Sequence, residues 1–540
     1  MQVSLPHLEQ HQTLCSLVYY WQEHTPTARA LVYKNQALNY TEFAAQVDLC
    51  AKELLAQGVS QGDVVALYAQ PSIVFAVQLF ACARIGAIWL GLNTKYSAAE
   101  LDYILTNAEP KSVWLESSSI AQAQASVQQY FVDHANTWAC DSALVAEQTQ
   151  LLVAPYDPSN LTLDHNDALS SLDLVTLPSL TTLAPELPTA LIYTSGTTGN
   201  PKGAVISQYA LTKASILQAE LLQLQSPSIL NNLPINHIGS VGDITTSMIA
   251  NGGCVVMQAR FDVAEGFELI KQHGITLWGQ IPTMFQLALE HEAFATADLS
   301  SLQCILFSGA PASINLVRQL RAICPKVVNA YGMSETVGSV TWAINTSDYI
   351  LATTVGKPIH SVEFRLADEN GGLVLPGQKG EIQIRSDYCF SYYWRDPAAT
   401  AEVFTADGYL KTGDLGQANP DGTIMLVGRT KERFKSGGYN VYPREIETVL
   451  NSHPMVEDAV VVAVPDPLYH EVGVAFVLTN KTKPNAPELL IEHCKSLLAN
   501  YKVPKQIQVV AHFPQLANGK IDRKALAQRA AEQARPTATT

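Results

Sequence analysis

Tyr193-Thr194-Ser195-Gly196-Thr197-Thr198-Gly199-Asn200-Pro201-Lys202-Gly203 is the stretch of this sequence that says most about its fold. Apolar residues precede it, so it follows a predicted strand. Its glycines let the backbone approach a ligand closely, and its hydroxyls, free amides and Lys202 can donate to phosphate oxygens. It is not a Walker A loop, because no Gly-Lys-Ser/Thr ends it. A flexible linker is the alternative, but a linker needs neither the lysine nor the closing Pro201 and Gly203. The stretch therefore predicts a phosphate-binding loop after a strand.

The composition describes a large globular chain with a net negative charge. Its 540 residues exceed the roughly 250–300 at which a single core stops growing, so more than one domain is expected. Hydrophobic residues make up 47% and charged residues 15%, which suits a sizeable core. The net charge of −15 argues against a nucleic-acid or anionic-membrane partner. Any positive charge that meets a phosphate must therefore be local.

Cysteine usage and the N-terminal residues bear on the compartment. The nine cysteines are dispersed and form no Cys-x-x-Cys pair, which argues against a disulfide framework and favours a reducing compartment. Residues 1–10 contain no basic segment followed by an apolar run, and no run is long enough to cross a membrane. We therefore expect a cytoplasmic protein without integral membrane association.

Strand and helix signals alternate through the first part of the chain. A hairpin is predicted from 30–33 and 37–40, and Thr41 is a candidate cap for a helix that ends near Ala56. A strand at 64–68 and a helix at 72–85 follow. Residues 140–188, which are rich in Ser, Thr, Asp and Pro, are predicted to be irregular.

Beyond Gly252 the alternation becomes regular. Strands are predicted at 254–257, 275–278, 304–307 and 327–329, and helices at 263–273, 282–291 and 312–323. This repeated βαβ pattern indicates a parallel sheet, and ligands collect beyond the carboxyl ends of such strands. Two of these ends carry Ser308-Gly309-Ala310-Pro311 and Tyr331-Gly332-Met333-Ser334-Glu335, which are small or polar where a core would need bulk.

The last part of the chain changes character. Short strands with Gly-rich turns are predicted over 355–385, and a separate unit begins near Phe434. That unit has predicted helices at 443–452 and 488–498 and predicted strands at 456–465 and 472–479. The tail from Ala530 is predicted to be disordered.

Four further motifs follow the phosphate-binding loop in a fixed order. They are Tyr331-Gly332-Met333-Ser334-Glu335, Tyr409-Leu410-Lys411-Thr412-Gly413-Asp414, Gly428-Arg429-Thr430-Lys431-Glu432-Arg433-Phe434-Lys435-Ser436-Gly437-Gly438 and Asn518-Gly519-Lys520-Ile521-Asp522-Arg523. With the loop, they resemble the signatures of the adenylate-forming (AMP-binding) superfamily, which contains acyl-CoA synthetases, adenylation domains of peptide synthetases and luciferases. Together they span nearly the whole chain.

The resemblance implies a fold and a domain division. The fold class is α/β, with a large N-terminal domain of βαβ subdomains and a small β-barrel-like part, followed by a small mobile α+β C-terminal domain. The expected boundaries are 1–428 for the adenylation domain, 429–432 for a hinge, 433–528 for the C-terminal domain and 529–540 for a disordered tail. Lys431 occupies the family's hinge position.

The resemblance also implies the chemistry, in which a carboxylate attacks the α-phosphorus of ATP and pyrophosphate leaves. Both partners are anionic, so positive charge must be aimed at the transition state. The implied catalytic residues are Lys520, Glu335, Thr194 and Lys202, with Glu335 and Thr194 holding Mg²⁺. The implied ATP- and AMP-binding residues are Thr194, Ser195, Gly196, Thr197, Thr198, Gly199, Lys202, Gly309, Ala310, Pro311, Asn329, Tyr331, Gly332, Met333, Ser334, Asp414, Arg429 and Lys520.

Within that set the resemblance gives individual roles. Asp414 would bind the ribose hydroxyls, Arg429 the ribose or phosphate, and Tyr331 would flank the adenine. Each residue also has a plainer interpretation: Glu335 as a helix cap, Asp414 as a turn residue, and Lys520 as a solvated lysine in an Asn-Gly-Lys turn. The occurrence of all the motifs in order favours the functional interpretation.

The substrate region of the family corresponds to Leu233-Pro234-Ile235-Asn236-His237-Ile238-Gly239. Adenylation domains for amino acids carry an Asp near this point, where Asn236 and His237 stand here. A buried ammonium without a partner is costly, so an apolar aliphatic or aryl acid is expected rather than an amino acid. The expected acyl-binding residues are His237, Ile238, Gly239, Val241, Gln280, Met284, Gly332 and Met333, beside Gly279 and Phe285. Core packing is the alternative for Met284 and Phe285.

The acceptor is expected to be coenzyme A, because the residues after the hinge look most like acyl-CoA synthetases. The implied coenzyme A and hinge residues are Lys431, Lys435, Ser436, Gly437 and Gly438. The Asn-Gly before Lys520 departs from the family's usual Ser-Gly, so a stand-alone enzyme that loads a separate carrier protein is the alternative. A nucleotide-binding regulator would be favoured by loss of Glu335 or Lys520, and both are present. A luciferase-like oxygenase has no supporting feature. The expected partner is a small-molecule carboxylic acid, and the expected state is a monomer or homodimer.

Overall fold

The computed structural model describes residues 11–133, 137–145, 148–155, 175–194, 200–436, 438–479, 485–515 and 521–533, with the backbone alone at 141–145 and 148–155. Its α-helices are α1 (Leu14–His24), α2 (Tyr40–Ala56), α3 (Ile73–Ile85), α4 (Ala98–Ala108), α5 (Ser117–Ala121), α6 (Ala125–Val132), α7 (Gln208–Leu222), α8 (Ser247–Ala250), α9 (Val263–His273), α10 (Pro282–Glu290), α11 (Ile314–Ile323), α12 (Asp348–Thr353), α13 (Pro397–Val403), α14 (Pro443–Asn451), α15 (Ala486–Leu497) and α16 (Arg523–Gln533). A π-helix spans Gly239–Thr246.

The strands are β1 (Arg29–Tyr33), β2 (Gln36–Asn39), β3 (Val64–Tyr68), β4 (Ile88–Leu92), β5 (Ser112–Glu116), β6 (Thr137–Val145), β7 (Gln148–Pro155), β8 (Pro188–Thr194), β9 (Lys202–Ser207), β10 (Ser228–Asn231), β11 (Cys254–Met257), β12 (Leu277–Gln280), β13 (Cys304–Ser308), β14 (Val327–Met333), β15 (Gly338–Ala343), β16 (Lys357–Pro358), β17 (Glu363–Ala367), β18 (Lys379–Arg385), β19 (Tyr392–Tyr393), β20 (Leu410–Ala418), β21 (Ile424–Arg429), β22 (Phe434–Ser436), β23 (Tyr439–Val441), β24 (Val456–Asp466), β25 (His470–Thr479) and β26 (Gln506–Val509).

Two large sheets form the first part of the molecule. One has eight strands in the order β19-β9-β8-β4-β3-β5-β6-β7, and the other has nine in the order β16-β15-β14-β13-β12-β10-β11-β1-β2. Helix α3 contacts strands of both sheets. Its sequence is apolar on every side, and every one of its residues is buried, as expected of a helix enclosed in a core.

The nine-stranded sheet determines where the loops meet. Strands β10, β12, β13 and β14 are parallel, so their carboxyl ends lie at one edge. Strand β15 then returns antiparallel along β14. This pairing carries β14 to Met333, four residues beyond the predicted end at 329, because pairing with a distant strand is invisible to local periodicity.

The smaller units follow in order along the chain. The part predicted to be barrel-like is an antiparallel sheet in the order β17-β18-β20-β21. A final sheet of β22–β26 packs with α14, α15 and α16. Glu445 at the start of α14 pairs with Lys379 of β18 at 3.1 Å and with Lys502 at 2.5 Å, so it joins the two units. The predicted class is confirmed: an α/β fold with a large N-terminal part and a smaller C-terminal part.

Three local predictions were wrong. Helix α2 is capped by Asn39 rather than Thr41, in a reciprocal capping box with Glu42. Residues 140–145 and 148–155 are not irregular but belong to β6 and β7, because β6 pairs with β5 on one side and with β7 on the other. The predicted disordered tail is helical at 529–533, since Leu526 and Ala530 of α16 are buried. Residues 534–540 lie outside the described residues.

Candidate active site

The phosphate-binding loop is closed at its base by a strand pair. Thr194 at the end of β8 and Lys202 at the start of β9 are cross-strand partners. Both are half-buried. The predicted residues Ser195, Gly196, Thr197, Thr198 and Gly199 lie outside the described residues. The flanking residues Thr194 and Lys202 are held next to each other by the antiparallel pairing of β8 with β9.

Tyr393 links this loop to Glu335, and the sequence analysis missed it. Strand β19 pairs with β9, with Tyr393 opposite Ala204. The Tyr393 hydroxyl donates to Glu335 Oε1 at 2.6 Å. Lys202 Nζ lies 5.3 Å from the centroid of the Tyr393 ring. The aromatic run Tyr392-Tyr393-Trp394 was the signal in the sequence that pointed to packing at this place.

Glu335 is a buried carboxylate at the carboxyl edge of the sheet. It sits in the turn Ser334–Thr336 that follows β14 and is 4% exposed. Burial raises its pKa, and the hydrogen bond from Tyr393 acts in the opposite direction. Among the described residues, no three His, Cys, Asp or Glu side chains cluster as a metal site. Glu335 is therefore a single buried carboxylate whose main hydrogen-bond donor is Tyr393.

Asp414 is held between an aromatic and a guanidinium group. Its Oδ2 accepts from the Tyr331 hydroxyl at 2.7 Å, and its Oδ1 lies 2.8 Å from Arg429 Nε. The pairing of β20 with β21 places Asp414 opposite Arg429, which brings two distant motifs together. Burial and Asp414 raise the pKa of Tyr331, and Asp414 raises the pKa of Arg429. The hydroxyl of Tyr331 is thus committed, while its ring remains the part suited to flank a base.

The glycines around β14 permit very close backbone contact. A Cβ at Gly332 would lie 1.9 Å from the Gly338 carbonyl oxygen, so only glycine fits there. Gly309, after β13, has a φ of +79° and meets only Ile281 near its Cβ position. Asn329 donates to the carbonyls of Leu351 and Thr354. Its amide nitrogen therefore binds the C-terminal part of α12 and the residue after it. Its side-chain oxygen is the atom that could bind a ligand.

The residues predicted to bind the acyl group fall into two sets. Ile238, Gly239 and Val241 belong to the π-helix or its N-terminal boundary, and His237 Nδ1 accepts from the Gly239 amide at 3.0 Å. Gln280 lies elsewhere. It donates to Asn232 Oδ1 at 2.6 Å, on the face that carries Gln258 and Glu265 of α9.

Gly279 is the residue on the π-helix side of β12. Neighbouring strand residues project to opposite faces, and the pairing of Ile229 with Leu277 places Gly279 level with Asn231. The Asn231 side chain contacts Ser240 and Thr245 of the π-helix. Met284 is half-buried in α10, whereas Phe285 is fully buried against Trp278 and is a core residue.

The predicted hinge and coenzyme A residues lie on the connection between the two units. Lys431 is exposed in a turn between β21 and β22. Lys435 is exposed, Ser436 is buried, and Gly438 has a φ of +89°. Gly437 and Lys520 lie outside the described residues. No helix of the described residues is long and apolar enough to cross a membrane.

Comparison with known proteins gives consistent matches along the chain. Residues 18–394 match the model of the AMP-binding enzyme family, and residues 445–520 match that of the AMP-binding enzyme C-terminal domain. The indoleacetate–CoA ligase of Aromatoleum aromaticum is 30% identical, over 92% of this chain and 94% of that protein. The feruloyl-CoA synthase of an Amycolatopsis species is 32% identical, over 92% of this chain and 95% of that protein.

Solved structures agree with these matches. The o-succinylbenzoate CoA synthetase of Bacillus subtilis, in complex with its acyl-adenylate intermediate, superimposes with a TM-score of 0.74 at 26% identity. The alignment covers 94% of this chain and 97% of that one. The similarity therefore includes both the large and the small unit.

Proposed function

Because this chain belongs to the AMP-binding enzyme family, it is an AMP-forming acid–thiol ligase, and we propose which acid it takes and which residues do the work. The enzyme activates a carboxylic acid with ATP as its acyl-adenylate, releases pyrophosphate, and then transfers the acyl group to coenzyme A. Two relatives, at 30% and 32% identity, are named indoleacetate–CoA ligase and feruloyl-CoA synthase. We therefore propose an aryl acid as the substrate and coenzyme A, rather than a carrier protein, as the acceptor.

The observation that carries the proposal is the approach of residues from three sheets: Tyr393 links Lys202 to Glu335, and the Asp414–Arg429 pair contributes to the electrostatic environment of Glu335. An oxygen of the substrate carboxylate attacks the α-phosphorus, and the bond to pyrophosphate breaks. Lys202 and Arg429 supply positive charge to phosphate oxygens as charge shifts toward the leaving group. Asp414 already accepts two hydrogen-bonding groups, so it is suited to exchange one of them for ribose hydroxyls.

Glu335 fits a Mg²⁺ ion that enters with ATP. Mg²⁺ is commonly bound by one or two carboxylates, substrate phosphate oxygens and water, so a single carboxylate beside the loop is sufficient. When bound, the ion would neutralise charge on the phosphates. Tyr393 keeps the Glu335 carboxylate oriented by its hydrogen bond, and this bond opposes the rise in pKa that burial causes.

In the second half-reaction the thiol sulfur of coenzyme A attacks the acyl carbonyl, and AMP leaves with the bonding electrons. Lys435, Ser436, Gly437 and Gly438 are proposed to guide the thiol. The protein is proposed to be a monomer or a homodimer, and light scattering measures its mass in solution.

The test is pyrophosphate release over a panel of aryl and aliphatic acids, with and without coenzyme A. Wild-type enzyme should release pyrophosphate only with ATP, Mg²⁺ and an acid. Glu335→Gln should lower the rate about 10²-fold or more, because a charge that stabilises the transition state is lost. Glu363→Gln is the matched control, since Glu363 is an exposed carboxylate paired with Arg385. Equal rates of pyrophosphate release with and without excess chelator would contradict the assignment of Glu335 to Mg²⁺. No pyrophosphate release with any acid would contradict the proposed function.

A further inference from the structure

Asp243 is a carboxylate that the nucleotide site does not use. It lies in the π-helix Gly239–Thr246, between buried Gly242 and Ile244, yet its own side chain keeps some accessible surface. Its carboxylate accepts a hydrogen bond from the Ser339 backbone N–H, and burial raises its pKa to about 7. It forms no ion pair with any residue that the structure describes. A carboxylate can accept about four hydrogen bonds, so most of its capacity is unused.

The π-helix contacts the end of β10 on one side and the start of β15 on the other. Asn231 of β10 donates to Ser240 Oγ at 3.1 Å and Thr245 Oγ1 at 3.0 Å, which fixes the helix on one side. On the other side, Asp243 Oδ1 lies 2.7 Å from the position of a Cβ at Gly338, the first residue of β15. Strands β12, β13 and β14 lie between β10 and β15, so their ends face the helix.

Two glycines at these strand ends have few neighbours on the side where a side chain would stand. A Cβ at Gly279 of β12 would meet only Ile229 Cδ1, at 3.9 Å. At Gly309, after β13, it would meet only Ile281 Cγ2, at 3.6 Å. Both positions therefore leave a recess at the carboxyl ends of β12 and β13. Asp243 is accessible although it is enclosed by protein, as expected of a residue that lines this recess.

Asp243 contacts the chain just beyond Glu335. Arg429 and Asp414 contribute to the electrostatic environment of Glu335, whereas the Asp243 carboxylate accepts from the Ser339 backbone N–H. Gly338 lies three residues beyond Glu335, on the far side of the turn Ser334–Thr336. An acid whose carboxylate points to Glu335 and Lys202 would therefore extend its other end toward Asp243.

We propose that Asp243 determines specificity at the distal end of the acyl pocket, and that the substrate is an aryl acid with a hydroxyl or N–H donor remote from its carboxylate. The inference rests on the proposed function. The donor would supply the hydrogen bond that the Asp243 carboxylate lacks. An acid without it leaves a buried carboxylate unpaired, and the cost of that loss discriminates between substrates.

The test compares pairs of aryl acids that differ in one group. Phenylpropanoid and phenylacetic acids are used, each as the parent acid and with a hydroxyl or amino group at the ortho, meta or para position. The measured quantity is kcat/KM for pyrophosphate release, expressed as the ratio of substituted acid to parent. In wild-type enzyme at least one substituted acid should exceed its parent about 10-fold or more, as expected for a hydrogen bond to a charged group.

Asp243→Leu should lower that ratio to about 1 while the enzyme still adenylates the parent acid. Asp243→Asn keeps an acceptor oxygen and should retain part of the preference for the substituted acid. Asp102→Asn is the control, because Asp102 is an exposed carboxylate on α4. A merely structural role for Asp243 would lower kcat/KM for both members of a pair and leave their ratio unchanged. The same ratios in wild type and Asp243→Leu for every pair would overturn the proposal. If wild type releases no pyrophosphate with any acid, the proposed function fails instead.

Discussion

At the scale of single residues, the site depends on the hydrogen bond that Tyr393 donates to the buried carboxylate of Glu335. Glu335 is enclosed by protein, which favours its neutral form, and the Tyr393 hydroxyl is its strongest compensating partner. The two residues are far apart in sequence and meet only because β19 pairs with β9. The hydroxyl is therefore a positioning group whose loss should be visible in the pH dependence.

Tyr393→Phe should weaken adenylation and shift its pH profile. Removing a donor that lowers the pKa of Glu335 leaves that pKa higher, so more of the carboxylate is protonated at a given pH. The acid limb of kcat/KM should move to higher pH, and the rate at neutral pH should fall about 10-fold, the size of one hydrogen bond to a charged group. Higher Mg²⁺ should recover part of the loss. Tyr392→Phe, at an exposed neighbouring ring, is the control. An unshifted acid limb would show that Tyr393 only packs.

At the scale of secondary structure, α2 shows how a cap is chosen. Asn39 Oδ1 accepts from the Glu42 amide at 2.9 Å, and Glu42 Oε2 accepts from the Asn39 amide at 2.8 Å. Thr41 is the candidate from the sequence, but it is the second residue of α2. Its hydroxyl donates to the Pro26 carbonyl at 3.2 Å. Both residues are common caps, so composition alone does not distinguish them.

Asn39→Ala should therefore destabilise the protein, by about 1 kcal/mol, because a helix N–H loses its partner. Thr41→Ala should change stability by less than about 0.5 kcal/mol, as expected of an exposed site. Urea unfolding followed by circular dichroism measures both. If the Thr41 variant is the more damaged of the two, the capping assignment is wrong.

The elements also show what the sequence could predict. Strands such as β3 and β11 and helices such as α9 are encoded by local apolar patterns, and their predicted bounds match the structure. The motifs around Glu335, Asp414 and Arg429 were identified by resemblance. The fold brings them together from two different sheets. Tyr393 and Asp243 were missed because their importance lies in contacts between distant segments. No period or motif reports such contacts.

At the scale of the whole molecule, one pocket is expected to serve two reactions. The resemblance implies that the C-terminal domain turns between the two steps, and that Lys520 approaches the α-phosphate in only one of them. Lys431 is exposed in the turn after β21 and contacts no proposed reacting atom. The two lysines should therefore separate the half-reactions.

Lys520→Ala should slow adenylate formation about 10²–10³-fold and leave thioester formation from supplied acyl-adenylate largely intact. Lys431→Pro should do the reverse, because proline restricts φ where the chain must turn. Each half-reaction is measured separately in both variants. Equal loss of both half-reactions in two folded variants would contradict the domain rotation for this protein, and circular dichroism verifies folding.

The shared pairing of Glu445 has a consequence for the barrier to that rotation. Glu445 contacts Lys379 of the large unit and Lys502 of its own unit at once. If the units part as proposed, Glu445 would lose its contact to Lys379 and would keep Lys502 as its counterion. Separation then exposes no uncompensated anion and requires no large electrostatic work. In the proposed rotation, this shared pairing would therefore add little to the barrier between the two arrangements.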